Sequence, residues 1–477
     1  MRSLTLLLAL CVALAAGAAQ ARTWFILPDG SGDAPTIQAG IDSSGVGDTV
    51  MVGCGTYYEY GLYILDYKAD LCLTSETGTP DCVTIDAGYQ GNVITVESPD
   101  TTVSIVGLTF IHGYYEPPPH EGGYGGGMSC LGSNARITNC VFRSNMARDA
   151  GGGVFINICA PVFTDCIFSD NVAYGNCWTV PCDGNGGGVY CCWEASAVFI
   201  DCVFSGNRAW NGDGAGFACR FDCFPTLTGC LFEGNNALYG GGGVAVLERS
   251  SANLTNCTFS GNTSPNGPGG GVYCGGMSSA SLDNCIVAFS WAGEALYWDG
   301  SGEEPVLGCS DLYANAGGDW VGAIADQYGV NGNICADPLF CDTTTGDFSL
   351  NSDSPCLDAD SCGTIGAYGQ GCGDASVSGG SAGEDPWLCV EAVTPCPFSA
   401  STRIDFSLST PGRAKVTIFD VRGEAVATLL DSHLPAGGHA VTWDGFDSAG
   451  RSLPSGTYFA RITAGDRSVV LKVVRIR

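Results

Sequence analysis

Apolar residues along most of this chain come in short alternating bursts, and the bursts recur at a nearly constant interval. The clearest unit reads Cys-x-Phe-x-x-Asn: Cys140/Phe142/Asn145, Cys166/Phe168/Asn171, Cys202/Phe204/Asn207, Cys230/Phe232/Asn235 and Cys257/Phe259/Asn262. A weaker copy starts at Cys285 and another at Cys309, giving steps of 26, 36, 28, 27, 28 and 24 residues. Between the copies stand glycine clusters at 125–127, 151–153, 186–188, 214–216, 241–243 and 269–271. In Cys257-Thr258-Phe259 the first and third side chains share a face by strand periodicity, so cysteine and phenylalanine point inward together. A strand this short buries its apolar face only by stacking on its neighbours, which is the signature of a solenoid. The pattern predicts an all-β fold of about twelve turns and roughly 60 Å, at about 4.8 Å per turn. Asparagine falls at a turn, where it tolerates left-handed backbone and its amide can donate and accept along a stack. Glycine supplies the other tight corner, at positive φ.

The pattern changes at both ends. Arg2, the apolar run 4–16 and Ala19-Gln20-Ala21 read as a signal peptide over 1–21, with a mature chain from about Arg22. No later segment is long and apolar enough to cross a membrane. Residues 22–105 predict an N-terminal cap and the first turns. They contain one short helix at Pro35-Thr36-Ile37-Gln38 with Ile41, and strands at 49–52 and 93–96. Such a cap covers an otherwise unpaired strand edge. Regular turns occupy 106–310, a last turn and C-terminal cap 311–372, and a Gly/Ser/Asp linker 373–386. From 387 to 477, alternating segments at 404–408, 416–421, 441–443, 458–462 and 469–476 predict a small antiparallel β-sandwich.

Export makes the cysteines legible. Without Cys11, 26 of the 27 remain, an even number in an oxidising compartment. Three residues after the glycine clusters stand Cys130, Ile156, Cys191, Cys219, Val246 and Cys274. A position that exchanges cysteine for Ile and Val wants a small buried hydrophobe. The Cys140-to-Cys285 column predicts a second interior ladder, with Leu108 in the equivalent place. Close pairs, Cys177/Cys182, Cys219/Cys223, Cys335/Cys341 and Cys389/Cys396, predict loop-pinning disulfides. Zinc would want histidine or paired Cys-x-x-Cys spacings beside them.

Charge narrows the partners. The chain carries a net −30. Residues 22–382 hold 8 basic and 39 acidic residues, a net −31, whereas 401–477 hold 10 basic and 7 acidic, a net +3. So acidic a surface repels nucleic acid and anionic membranes, and repels uronic-acid polymers unless a divalent cation intervenes.

These repeats resemble those of right-handed parallel β-helix proteins of the pectin-lyase-like superfamily. The pairing of Gly-Gly-Gly-Val with Phe-x-x-Asn is especially similar to the repeats of chlamydial polymorphic outer-membrane proteins, which are adhesin-like. The chain departs from them in showing no outer-membrane barrel pattern. Residues Phe398, Ile404, Phe406, Val416 to Asp420, Gly423, Leu429, Gly437-Gly438-His439, Trp443-Asp444-Gly445 and Ser455 to Phe459 resemble the Ig-like domain of flagellar hook-capping proteins and type IX secretion sorting signals. That resemblance implies delivery to the cell surface by secretion machinery. Thr394-Pro395-Cys396-Pro397 replaces the usual Asn-Pro at its start.

Few residues suit catalysis. The Gly-His-Gly and Arg-x-Lys of polygalacturonase-like helices are missing, and His112 and His120 sit in a Tyr/Pro-rich loop. Asp165 and Asp201 precede ladder cysteines on successive turns, which puts their carboxylates roughly 5 Å apart or somewhat more. That spacing suits a calcium ion or a retaining carboxylate pair, with Arg143, Arg148 and Arg208 flanking it. The same column holds Asn139, Asn256 and Asn284, so an Asx corner in which Asp merely substitutes is the stronger reading. Tyr174, Trp178, Trp193 and Trp210 fall in or beside inserted loops, the largest being 174–185, and suit stacking on sugar rings or a protein. The expectation is a secreted or surface-exposed, non-catalytic β-helix that needs no cofactor and binds a glycan or surface protein. A polysaccharide lyase or hydrolase at Asp165/Asp201 is the alternative, and a structural surface-layer component the second.

Overall fold

Two- to five-residue strands separated by tight corners cannot form a sheet with their chain neighbours, so each finds its partner one turn away. One turn comprises Arg136–Thr138, Val141–Arg143, Met146–Ala147 and Val154–Asn157. These pair in parallel, in register, with Val162–Thr164, Ile167–Ser169, Val172–Ala173 and Val189–Cys192. The computed structural model describes residues 21–475 apart from 66, 99–101, 116–122, 176–183, 360, 374–387, 395–397, 399, 409–410, 421–424 and 465–466. Among the described residues the first, second and third sheets stack eleven, ten and nine strands, and a five-stranded ledge lies between the second and third. Ten steps of about 4.8 Å make a rod of about 48 Å, shorter than the sequence period suggests. The insertion after Tyr174 and the terminal cap consume residues without adding a turn.

The interior is a set of columns. Phe110, Phe142, Phe168, Phe204, Phe232 and Phe259 are fully buried and stack with centroids 4.5–5.3 Å apart. Leu108 and the cysteines of the Cys140-to-Cys285 column form the neighbouring ladder, all buried, the cysteines as free thiols. Cys130, Ile156, Cys191, Cys219, Val246 and Cys274 line up in the third sheet.

Asparagine forms a third column, but its backbone differs from expectation. The left-handed residue is the one before it, Ser144, Asp170, Gly206, Gly234 or Gly261. This frees the asparagine side chain to turn inward: Nδ2 of Asn207 donates to the Phe168 carbonyl at 2.8 Å and to Oδ1 of Asn235 at 2.9 Å. The ladder is interrupted at Ser290, which donates to Asn315, and both the backbone N–H and Nδ2 of Asn315 donate to Oδ1 of Asp319 at 2.8 Å. Only the first glycine of each triplet has positive φ. The third is small for another reason: a Cβ on Gly153 would lie 2.5 Å from the Gly188 carbonyl oxygen.

At the N-terminus the helix Ile37–Ser43 packs Ile37, Gly40 and Ile41 on the first turns, and Thr36 caps it by accepting from Ala39 N–H. Buried Lys68 donates to the Asp42 and Ser44 carbonyls at the C-terminal end of this helix. Disulfides Cys54–Cys82, Cys309–Cys362 and Cys341–Cys372 fasten the two ends. The short-range pairing is therefore corrected. Cys219 and Cys223 are both free thiols, and Cys341 joins Cys372 rather than Cys335. In a solenoid, adjacency runs from turn to turn, as in the 28-residue separation of Cys54 and Cys82. Cys177, Cys182 and Cys396 lie outside the described residues, as does the signal-peptide segment 1–20. Cys309 is a left-handed corner residue, and Ser310 occupies the ladder position after Cys285.

The C-terminal region forms three-stranded and four-stranded antiparallel sheets around its own core of Phe398, Phe406, Trp443, Tyr458 and Ile462. It adds strands Leu388–Thr394 and Ala425–Leu434 to the five expected.

Candidate functional site

Strand alternation fixes which side chains of the third sheet point away from the interior, although much of the column they form is itself buried. Its outward column runs Ser129, Phe155, Tyr190, Ala218, Ala245, Tyr273 and Tyr297, one per turn. Small Ala218 and Ala245 sit on the two turns before Tyr273. Beside them opens a groove of about 330 Å³, lined by Asp213 and Tyr239 from the glycine loops, Arg220 and Tyr273 from the sheet, and Glu248 from the corner beyond. Tyr239 is 49% exposed. Gly275 and Gly276 make the floor, because Cβ atoms there would meet the Tyr273 hydroxyl and the Glu248 carboxyl.

The corner after the third sheet is held in unusual backbone. Ile158, Trp193, Phe221 and Glu248 all have φ between 50° and 66°, a region that bulky side chains seldom occupy. Trp193 stacks on Phe221 at 4.4 Å and stays 54% exposed. The Arg220 guanidinium lies over the Phe221 ring at 4.6 Å and within 3.7 Å of Glu248. Trp193 is thus coupled to the groove through Phe221 and Arg220. Burial, with Asp213 and Asp299 nearby, pushes the Tyr273 hydroxyl up to about 12, so it stays a neutral donor and acceptor.

The four aromatics expected to bind do not form one cluster. Tyr174 and Trp210 follow equivalent ledge strands on adjacent turns, and Trp210 is 52% exposed, three residues before Asp213. Trp193 stands at the other edge of the third sheet, and Trp178 lies outside the described residues. Sequence reading missed Tyr239, Tyr273, Arg220 and Glu248. The outward position of Tyr273 was available from the two-residue alternation of Val272-Tyr273-Cys274.

Asp165 and Asp201 occupy adjacent turns at the corner between the first and second sheets, with φ of 53° and 52°. Asn139, Asn256 and Asn284 are left-handed in the same column, so the corner geometry is real. Burial, then the charge of Asp165, raises the Asp201 pKa. Arg148 and Arg208 lie a further corner away on the ledge, Arg148 beside Asp149, so they do not flank the pair. Among the described residues no group of three or more His, Cys, Asp or Glu side chains is placed to hold a metal ion. A calcium ion at Asp165/Asp201 would take most of its six to eight oxygens from backbone and water. The cap lies against the second sheet near this corner: Gly366 donates to the Asn284 carbonyl, Ala367 to Thr258, and Tyr368 feels Asp201 and Glu233.

Comparison with known proteins matches this anatomy. Residues 181–287 match the right handed beta helix region, 165–192 the Chlamydia polymorphic membrane protein repeat, and 397–468 the FlgD Ig-like domain. The chain joins a right-handed parallel β-helix to an FlgD-type Ig-like domain. Pectate lyase Pel9A is similar at 15% identity over 74% of this chain and 98% of its own, with a TM-score of 0.40. The bacteriophage CBA120 tailspike protein 4 active domain is 14% identical over 90% of this chain and 64% of its own, with a TM-score of 0.32. Dimeric latent PorU from Porphyromonas gingivalis is 19% identical over 21% of this chain, which spans 10% of that protein, with a TM-score of 0.17. No curated protein matches the chain significantly. Among the described residues, no helix of this β-helix protein is long and apolar enough to cross a membrane.

Proposed function

We propose that this chain is an exported β-helix protein, held at the cell surface or released, that binds a glycan or a surface protein without transforming it. The third-sheet groove carries the reading. It presents two tyrosines, an arginine and carboxylates on a rigid rod, the mixture of ring faces and polar groups that sugar and protein recognition uses. Exposed Trp193 and Trp210 extend the aromatic surface to either side. The apolar leader at 1–21 supports export, and the match at 397–468 supports a sorting role for the Ig-like domain by a type IX route. A glycan array with the wild-type chain and with Tyr273→Ala tests this, the variant being expected to lose the wild-type hits. Wild-type hits that survive both Tyr273→Ala and Trp193→Ala would sink the assignment of binding to this face.

One observation favours a second reading, a glycan-cleaving enzyme. The raised carboxyl of Asp201 beside Asp165 is the arrangement an acid/base pair needs. Incubating each array hit with the protein and watching for new reducing or unsaturated ends decides it. The binding reading expects none.

A further inference from the structure

The groove has a charge bias that its size alone does not require. Three carboxylates surround its glycine floor. Asp213 and Glu248 line it, and Asp299 accepts from Gly276 N–H at 2.8 Å and lies 3.3 Å from where a Cβ on Gly275 would stand. Against them, among the described residues lining the groove, stands one cation, Arg220, whose guanidinium is spread over the Phe221 ring and shared with Glu248. Tyr239 and Tyr273 add ring faces, and the neutral Tyr273 hydroxyl adds an acceptor. Carboxylates beside aromatic faces attract a cation twice over, through opposite charge and through the ring quadrupole. A carboxylate-bearing ligand would instead meet like charge here and across the whole rod, whose residues 22–382 carry a net −31. The two glycines let the Tyr273 hydroxyl and the Glu248 carboxyl close in on the floor, so that ring and charge face the groove together.

We propose that the groove selects an amine-bearing glycan, with an amino-sugar ammonium seated between Glu248 and Asp299 and its ring against Tyr273. The inference rests on the binding role proposed above and specifies its ligand class. Calorimetry on the full chain with glucosamine hexamers and with N-acetylated hexamers of the same length tests it. The free-amine hexamer is expected to bind at least about tenfold tighter, a difference of about 1.4 kcal/mol. That binding should weaken with added salt, as charge pairing does. Asp299→Asn removes the charge and keeps one oxygen to accept from Gly276 N–H, giving up the Ser301 N–H and hydroxyl contacts on the other, and Tyr273→Ala removes the ring. Each should weaken binding about fivefold or more in a chain that circular dichroism shows to be folded. Asp81→Asn removes an equal charge from an exposed site near the opposite end and should have no effect. Equal affinity for free and acetylated hexamers would overturn the amine preference and leave the glycan reading intact. Equal losses in Asp299→Asn and Asp81→Asn would also overturn it, by showing that overall charge holds the polymer. No binding to either hexamer, with capture of a lysine-rich peptide instead, would overturn both the amine preference and the glycan reading.

Discussion

Asn171 gives two hydrogen bonds to a single atom of Asn207: its backbone N–H and its Nδ2 both donate to Oδ1, at 3.1 and 3.0 Å. Asn207 repeats this with Asn235 while its Nδ2 also satisfies the Phe168 carbonyl. All three residues are fully buried, so no water replaces a lost partner. Asn207→Ala would orphan the Asn171 backbone N–H and take one partner each from Asn171 Nδ2, which keeps the Phe142 carbonyl, and from the Phe168 carbonyl. Orphaned groups of this kind cost about 1–3 kcal/mol each, and chemical denaturation is expected to show a loss of roughly 2–5 kcal/mol. A loss below about 1 kcal/mol would mean the ladder contributes little.

The cysteine ladder should behave as hydrophobe. Cys257→Val is expected to be tolerated, and Cys257→Asp to cost several kcal/mol, since an unpaired carboxylate would stand in an apolar column. Burial raises the Cys140 thiol to about 12. Alkylation followed by mass spectrometry should therefore label the ladder thiols only after unfolding. A disulfide-linked peptide containing Cys257 would contradict this.

Two buried carboxyls give the C-terminal cap a pH dependence. Asp311 accepts from Ala336 N–H and faces the Cys356 thiol at 3.2 Å, and burial raises its pKa well above the usual carboxylate range. Burial pushes Asp319 up to about 7, against the hydrogen bonds from Asn315. A raised folded pKa means the folded state holds the proton more tightly than the unfolded one. This stabilisation is complete below about pH 4 and is lost as pH rises through about 7. Asp311→Asn, neutral at every pH, should gain on the wild type as pH rises, by at most about 1.4 kcal/mol per unit. Parallel urea titrations at pH 4.5, 6 and 8 check this, and a difference that does not change with pH would refute it.

At the left-handed corner, Asp201→Asn and Asp201→Gly should be nearly neutral, since Asn256 and Gly229 already serve there. Asp201→Ala should cost about 1–2 kcal/mol, the penalty for a Cβ in left-handed backbone. Thermal melts of the three variants decide it. If Asp201→Asn alone abolished an activity while leaving the melt unchanged, the corner would also be a catalytic site.

Deleting 387–477 is expected to leave the solenoid folded, since its apolar core and that of the Ig-like region are separate clusters. Circular dichroism of the truncated chain tests the fold. Cell fractionation tests the proposed sorting role, and undiminished surface amounts would remove it.

What the sequence displayed was periodic. Phe142, Cys140 and Asn145 recur because each stacks on its own kind, so the inward columns and the stacking of turns could be read directly. Non-repeating contacts could not. Cys341 meets Cys372 because the cap folds back on itself, and nothing in the spacing of Cys335 and Cys341 shows that. Tyr239 and Tyr273 come from different turns and different faces, and they meet only once the glycine loop has been placed beside the third sheet. The backbone of Asn145 was misjudged because left-handed geometry was assigned to the residue with the functional side chain, when its neighbour Ser144 absorbs the bend.

A column in which every asparagine asks the same thing of the next has no natural end. Left open, its last member would offer two donors to any similar surface, including another rod laid end to end. Asp319 answers that demand from within the chain: its Oδ1 takes both donors of Asn315, as another asparagine would. That asparagine would bring two N–H donors needing further partners, whereas the carboxyl brings at most one. In the vocabulary of polymer growth, Asp319 is a chain terminator for the asparagine column.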